Sequence, residues 1–314
     1  MAKVTPPSPT GTPRLAADLT VAAGDPRSTF TREAWTRLKR NKAAMVGLYM
    51  IIVLVIVAVT ADLISPADPY TQDLYARLVP PGGPSSITRT QTYILGSDQL
   101  GRDILSRIFH GSRISLAVGL VSEFIVVLIG ISLGAISGYY GKWVDTVIMR
   151  LGDIMFAFPD LLFCIGIMFV LGPNIFNLFI AISIVGWAGM ARLVRSQVLY
   201  LKETQFIESA KAQGLSDFRI ITRHILPNCL GPIIVSVTLG IPGAIMAEAS
   251  LSFLGLGAQP PMASWGSMIY AARAYIRAAP LYSIFPGLAI AYTVFAFNLF
   301  GDGLRDALDP RLKR

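Results

Sequence analysis

Three carboxylates lie inside apolar segments of this chain, where an ionisable side chain is rare. Glu123, Asp160 and Glu248 each stand in or near a long run of apolar residues. A charge in such a run costs free energy, so it commonly binds an ion, a proton or a polar substrate. We predict that these three side chains line a polar route through the molecule. Because Glu248 comes at the end of its run, an interfacial structural role remains open for it.

The residues for other chemistries are absent from the sequence. It has no phosphate-binding GxxxxGK[ST] loop, no HExxH pair and no nucleophile elbow. Its two cysteines, Cys164 and Cys229, lie in apolar runs without CxxC spacing, and there are only two histidines, His110 and His224. We therefore expect neither an enzyme active site nor a metal centre, and a membrane-embedded hydrolase is the weakest alternative.

The composition is that of a membrane protein. Hydrophobic residues make up 53% of the chain and charged residues 15%, whereas soluble proteins carry about 25% charge. A helix of about 20 apolar residues spans the hydrocarbon, and lipid-facing backbone must be helical or closed into a barrel. We predict an all-α integral membrane protein with six transmembrane helices, at Ala43–Ala61, Ile114–Tyr140, Ile154–Leu171, Ile175–Ala191, Asn228–Ser250 and Ala278–Gly301.

The distribution of basic residues orients these helices. With the N-terminus inside, the inner segments hold 20 Lys and Arg against 7 outside, which favours an N-in, C-in topology. Because the basic residues flank apolar runs, the net charge of +8 indicates anionic membrane lipid and no nucleic acid as the partner. Residues 1–42 are expected to form a disordered cytoplasmic tail and a basic amphipathic helix.

The remaining segments are connections and a core. The ranges that we predict are a first transmembrane helix at 43–64, an extracytoplasmic loop at 65–113, a core of five helices at 114–301 and a cytoplasmic tail at 302–314. In the outer loop, Ser97 or Asp98 can cap a surface helix that Gly111 can end. In the second span, Gly130, Gly134 and Gly138 predict close approach of another helix.

A polar loop at residues 192–227 stands between the fourth and fifth predicted spans, on the cytoplasmic side. Gly214 can adopt a left-handed conformation that ends a helix, Ser216 or Asp217 can cap the next one, and Pro227 suits its first turn. The pattern predicts two short helices joined at a fixed glycine, which would form a rigid docking knob. An ordinary solvated loop fits the same charges.

The motif in this loop resembles the EAA loop of importer-type ABC permeases. Glu208-Ser-Ala-x-x-x-Gly214 is followed after nine residues by His224-x-Leu226-Pro227. Ser209 stands where the family has alanine, and His224 where it often has isoleucine. Residues 95–107, 248–257 and 301–311 are similar to the dipeptide/oligopeptide/nickel permease family, C-type subunit, and the resemblance covers residues 31–314.

The resemblance implies a type I ABC importer permease-like bundle in the bacterial inner membrane. Its implied partners are a homologous B-type permease subunit, two cytoplasmic ATPases and an extracytoplasmic peptide-binding protein. The chain itself would hold no cofactor, since ATP and Mg would bind to the ATPase subunits. The residues implied in coupling to the ATPases are Glu208, Ser209, Ala210, Gly214, His224, Leu226 and Pro227.

The outer face and the substrate are less constrained. We predict that the binding protein docks near Asp98, Arg102, Asp103 and Trp265. Dipeptides, oligopeptides, nickel complexes and glutathione all remain open as substrates.

The alternative function is an ion- or proton-coupled secondary carrier that uses the three membrane carboxylates. Internal inverted repeats, common in such carriers, are not evident, and the polar loop would then have no role.

Overall fold

The computed structural model describes residues 35–86 and 92–308, and the predicted disordered tail lies outside them. The helices are α1 (35–40), α2 (Lys42–Ile64), α3 (Ile104–Tyr140), α4 (Lys142–Ala157), α5 (Asp160–Leu171), α6 (Ile175–Leu201), α7 (Gln205–Ala212), α8 (Asp217–Ile220), α9 (Leu226–Phe253), α10 (Trp265–Ala272) and α11 (Pro280–Leu308). A π-helical turn (Ile221–Ile225) joins α8 to α9, and a 3₁₀ turn (Arg273–Tyr275) follows α10. The strands β1 (Gly83–Pro84) and β2 (Thr92–Tyr93) pair antiparallel in the outer loop.

Five helical stretches in the described ranges are long and apolar enough to cross a membrane, and α4 with α5 makes a sixth if the bent pair is one span. The two helices meet at 94°, so the continuous helix predicted at Ile154–Leu171 is wrong. Phe158 is extended and Pro159 caps α5. Proline excludes the α conformation from the residue before it and lacks an N–H, which ends α4 at this point.

The second span is longer than predicted, and the prediction of a separate surface helix before it is wrong. Asp103 caps α3 by accepting a hydrogen bond from the backbone N of Ser106 at 2.7 Å. The helix then continues through Gly111 without a break. A Cβ at Gly111 would lie 3.2 Å from Cδ1 of Trp265. This glycine therefore makes room for a neighbouring side chain and does not end a helix.

The last helix also extends beyond its predicted end at Gly301, to Leu308. A Cβ at Gly301 would lie 2.6 Å from Leu239 of α9, and Gly303 lies directly against Ala44 of α2. Both glycines give space to adjacent helices. α11 consequently contacts α2 and α9 closely at its cytoplasmic end.

Close approach of α3 and α6 forms the centre of the bundle. Three of the five glycines of α3, Gly130, Gly134 and Gly138, face α6, and a Cβ at Gly134 would lie 2.5 Å from the carbonyl oxygen of Ala191. The close approach predicted from Gly130, Gly134 and Gly138 is confirmed, and the neighbour belongs to the same chain. Van der Waals contact between small residues of this kind is a main source of helix association in lipid.

Two ion pairs fasten α4 to the cytoplasmic half of α6. Arg195 donates from Nε and Nη2 to the two carboxylate oxygens of Asp145, at 2.5 and 2.6 Å. One turn away on α6, Arg192 donates to Asp153 at 3.0 Å. Because the first pair is bidentate and partly buried, it fixes orientation as well as distance. α4 and α6 are thus expected to move together.

Candidate functional site

The polar loop 192–227 has an apolar underside. Its inward side chains rest on the cytoplasmic ends of α6 and α9. Ile207 of α7 and Ile220 of α8 are fully buried in this contact. The cluster around them contains Val194, Val198, Ala210, Ile221, Ile225, Cys229 and Ile233. Burial of this surface holds the loop against the bundle as a folded element.

Gly214 separates the two short helices, as the sequence predicts. Its φ is +76°, in the left-handed region. The N–H of Gly214 donates to the carbonyl of Lys211, and that of Leu215 to the carbonyl of Ala210, which closes the end of α7. Nothing lies within 4 Å of a Cβ built at Gly214. Glycine is therefore required here by the backbone conformation and not by a lack of space for a side chain.

Side chains fix the loop to the inner end of α3. The hydroxyl of Tyr139 donates to Oδ1 of Asp217 at 2.7 Å. The Lys211 ammonium lies 5.6 Å from the centroid of the Tyr139 ring, within cation–π range. Lys202 donates to the carbonyl oxygen of Gly138 at 3.1 Å. The loop is therefore bonded to α3 and packed against α6 and α9.

The outward face of the loop is charged and carries two phenylalanines. Glu208 and Ser209 are exposed, and Phe206 and Phe218 are 45% and 77% exposed. Sequence reasoning missed these aromatic side chains. The signal was available for Phe206, because Ile207 next to it is buried and neighbouring positions of a helix point in different directions. Two exposed aromatic side chains on a polar surface are therefore accessible to a partner.

The remaining residues predicted in the loop have mixed positions. Ala210 is buried, whereas His224, Leu226 and Pro227 are partly buried. The carbonyl oxygen of His224 accepts a hydrogen bond from Nδ2 of Asn228 at 2.6 Å. Pro227 stands in the first turn of α9. The structure thus brings the motif together around one helix–glycine–helix unit, but only its first half reaches the outward face.

The three membrane carboxylates have different surroundings, and no hydrogen bond joins them in the described part of the chain. Glu123 is buried on α3 against Gly240 of α9. Glu248 is buried and accepts hydrogen bonds from Ser252 at 2.6 Å and Ser115 at 3.4 Å. Asp160 is exposed in the first turn of α5, after the bend.

On the outside, the predicted docking residues lie within a compact lobe, which consists of residues 65–86 and 92–113 together with α10. Asp98 is fully buried and accepts a hydrogen bond from Nε of Arg102 at 2.6 Å. It also accepts from the backbone N–H groups of Leu100 and Arg102, and Arg107 lies 3.6 Å away. A buried carboxylate with this many donors orders the chain around it.

Asp103 and Trp265 are equally enclosed. Burial raises the pKa of Asp103, although hydrogen bonds from Ser106 act in the opposite direction. The indole Nε1 of Trp265 donates to the carbonyl oxygen of Ile108 at 3.1 Å. All four predicted docking side chains, with Arg102 included, are therefore less than a tenth exposed. They organise the lobe from inside, although Asp103 also lines a cavity that opens on its surface.

That surface contains a cavity of about 850 Å³. Its lining has four carboxylates, one guanidinium and one imidazole, from Asp62, Asp68, Asp73, Asp103, Arg113 and His110. Arg113 binds both carboxylate oxygens of Asp62 at 3.0 Å. The acidic residues are spread over about forty positions of sequence, so sequence reasoning had no local pattern by which to find the cavity. Within the described residues, no group of His, Cys, Asp and Glu is arranged to hold a metal ion.

Comparison with known proteins agrees with this architecture. Residues 130–314 match the family described as binding-protein-dependent transport system inner membrane component. Residues 29–81 match the N-terminal transmembrane domain of oligopeptide transport permease C. Among solved structures, the methionine ABC transporter MetNI in an inward-facing conformation has a TM-score of 0.55 at 18% identity. The match covers 66% of this chain and 98% of that chain. This likeness establishes the type I importer permease fold.

Curated relatives match over nearly the full length. The dipeptide transport system permease protein DppC of Alkalihalophilus pseudofirmus is 47% identical, with 90% of each chain covered. The DppC of Bacillus subtilis is 41% identical over 92% of this chain and 88% of the relative. The glutathione transport system permease protein GsiD of Pectobacterium atrosepticum is 46% identical over 90% and 91%. The chain therefore belongs to the family of binding-protein-dependent transport system inner membrane components and is a multi-pass protein of the inner membrane.

Proposed function

We propose that this chain is a permease subunit of an ATP-driven importer for dipeptides or oligopeptides. It forms half of the translocation pathway and contains no catalytic site of its own. The names of its relatives, which transport dipeptides or glutathione, support a peptide cargo. The observation that carries the proposal is the loop 192–227, whose underside is buried in the bundle while Phe218 remains 77% exposed.

The implied complex contains four further subunits. A homologous B-type permease completes the pathway, two cytoplasmic ATPases bind ATP and Mg, and an extracytoplasmic binding protein delivers the peptide. Each ATPase would accept one EAA loop, with Glu208 and the two exposed phenylalanines at the contact. Aromatic side chains that fill a cleft commonly dominate such interfaces.

The contacts of the loop suggest how motion is transmitted. Closure of the ATPases on ATP moves α7 and α8, and the bonds of Tyr139 and Lys202 pass this motion to α3. α6 is continuous with the start of the loop and carries α4 with it through Asp145 and Arg195. The bundle then has two arrangements, inward-open and outward-open, whose populations nucleotide and loaded binding protein bias.

The outer lobe is the proposed receptor for the binding protein. Asp98, Arg102, Asp103 and Trp265 hold its shape from inside, and the acidic cavity beside Asp62 lies on its surface. Asp160 is exposed beside the bend and Glu123 lies between α3 and α9, so both can contribute to the pathway. Glu248 of α9 accepts hydrogen bonds from Ser115 of α3 and Ser252 of α9, so it would have a structural role in joining these two helices.

Reconstitution of the complete complex tests the proposal. Loaded binding protein should raise ATP hydrolysis and drive uptake of labelled dipeptide or glutathione into proteoliposomes. Phe218→Ser should abolish the co-purification of the ATPases. Phe176→Ser is the matched control, because Phe176 is 68% exposed but lies at the end of α6 that is remote from the loop. Uptake by the permease subunits without ATPases would support the secondary-carrier alternative.

A further inference from the structure

We infer that Glu123 binds the ammonium group of the peptide at the middle of the membrane, and that Gly240 positions its carboxylate for this contact. The inference rests on the proposed import function. It rests on the depth of the Glu123 side chain in the membrane, on its burial, and on the absence of hydrogen-bond and ion-pair partners among the described residues. The space that faces this side chain on α9 is the fourth observation.

The depth of Glu123 follows from the outer ion pair. Arg113 of α3 binds Asp62 near the outer end of α2, and for this inference we place the outer membrane surface at the level of this ion pair. Glu123 lies ten residues further along the same continuous helix, which corresponds to about 15 Å at a rise of 1.5 Å per residue. The hydrocarbon is about 30 Å thick. Glu123 therefore lies near half depth.

The carboxylate of Glu123 has no compensating group at this depth. Its residue is 7% exposed, and no described residue donates a hydrogen bond to it or forms an ion pair with it. Glu248, by contrast, accepts hydrogen bonds from serine hydroxyls. A carboxylate in the membrane interior without such donors requires a proton or a cationic ligand.

Gly240 of α9 leaves the space that the carboxylate occupies. A Cβ at Gly240 would lie 2.5 Å from the Cδ atom and from both oxygens of Glu123. Three residues on, Gly243 is exposed, and nothing lies within 4 Å of a Cβ built there. The carboxylate thus reaches α9 beside an open face of the helix, where a passing ligand can contact it.

The chemistry of the site selects an ammonium group. A single carboxylate without hydrogen-bond donors neutralises one positive charge, and an ammonium supplies that charge together with three hydrogen-bond donors. Dipeptides, longer peptides and glutathione all carry a free α-ammonium, which makes it the feature common to the proposed cargoes. One carboxylate without further ligands would hold this group only transiently, as transport requires.

Chemical labelling in the assembled complex tests the contact directly. Dicyclohexylcarbodiimide reacts with carboxyl groups in apolar surroundings, and mass spectrometry can quantify its adduct on Glu123. We expect alanylalanine and glutathione to reduce this labelling about tenfold, a protection equivalent to about 1.4 kcal/mol. Their N-acetyl derivatives at the same concentration should not protect. No labelling of Glu123, equal labelling with and without peptide, or equal protection by the acetylated forms would overturn the inference.

Two glycine variants separate position from general damage to α9. Gly240→Ala should lower peptide import about tenfold while loaded binding protein still stimulates ATP hydrolysis. Gly231→Ala, at a position of α9 where nothing lies within 4 Å of a built Cβ, should import at the wild-type rate. Glu123→Gln should reproduce the Gly240→Ala defect, and wild-type import by Glu123→Gln would refute the role of the carboxylate. If the wild-type complex shows no ATP-driven import at all, the proposed function fails; normal import without protection of Glu123 rejects this inference alone.

Discussion

The outer lobe and the inner loop are the two polar regions between apolar helices, and their side chains point in opposite directions. In the outer lobe, Asp98 and Arg102 are buried and satisfy each other. In the inner loop, most apolar residues are buried, and the charged residues face outward together with the apolar side chains of Phe206 and Phe218. Two polar stretches of sequence thus have different structures: one folds into a buried ion-pair network, and the other has a buried apolar underside and an exposed charged face.

The largest expected effect would break the scaffold. Asp98→Ala leaves Arg102 and Arg107 buried without their carboxylate, and loss of one partner of a buried pair costs about 3–5 kcal/mol. We expect a marked fall in the thermal stability of the purified complex, measured by size-exclusion fluorescence after heating. Asp68→Ala is the control, because Asp68 is exposed. Equal stability of the two variants would show that the outer network is dispensable.

A second substitution would break the inner loop without unfolding the bundle. Gly214→Asp places a side chain at a φ of +76°, where the strain for an L-residue is about 1–2 kcal/mol. We expect normal membrane insertion and expression, but import uncoupled from ATP hydrolysis. Gln213→Asp adds the same charge at a neighbouring exposed position without the positive φ. Normal import by Gly214→Asp at normal expression would contradict a coupling role.

A charge reversal sharpens the comparison at the outward face. Glu208 is exposed in the first turn of α7, so Glu208→Lys changes the contact surface and leaves the core intact. We expect affinity for the ATPase subunits to fall about tenfold, or about 1.4 kcal/mol, in pull-down titrations. Glu203→Lys makes the same charge change outside α7. Unchanged co-purification of Glu208→Lys would argue against a direct contact.

The smallest effect concerns the link between the loop and α3. Tyr139→Phe removes the hydrogen bond to Asp217, which contributes about 0.5–1.5 kcal/mol. We expect faster hydrogen exchange in α8 and a modest loss of import per ATP. The adjacent exposed Tyr140 provides the control variant Tyr140→Phe. Identical exchange in α8 for both variants would mean that apolar burial alone fixes the loop.

The positions of the membrane helices could largely be predicted, because apolar runs and flanking charges determine them. The errors in the predicted helix boundaries occurred at residues that can have either of two structural roles. Gly111 can end a helix or admit a neighbour, and only the contact with Trp265 decides between these. Pro159 lies in an apolar run long enough to span, yet its backbone restriction divides that run at 94°.

The site could be predicted in part. The bend at Gly214 follows from glycine between two helical patterns, and the structure has the expected positive φ. The burial of Asp98 could not be foreseen, because its ion-pair partners include Arg107, nine positions away in a different element. The contact of Glu123 with Gly240 joins residues more than one hundred positions apart, and a single sequence has no local pattern for such a pair.

The elbow between α4 and α5 has a consequence for biogenesis. α5 has 12 residues, so it is about 18 Å long, well short of the 30 Å hydrocarbon layer. Large apolar side chains are exposed around this bend, namely Phe156, Phe158 and Leu162. A lone copy would have to thin the lipid leaflet at this place, at a cost that grows with each ångström of mismatch. We expect an orphan copy to be short-lived in cells, with a lifetime that assembly extends.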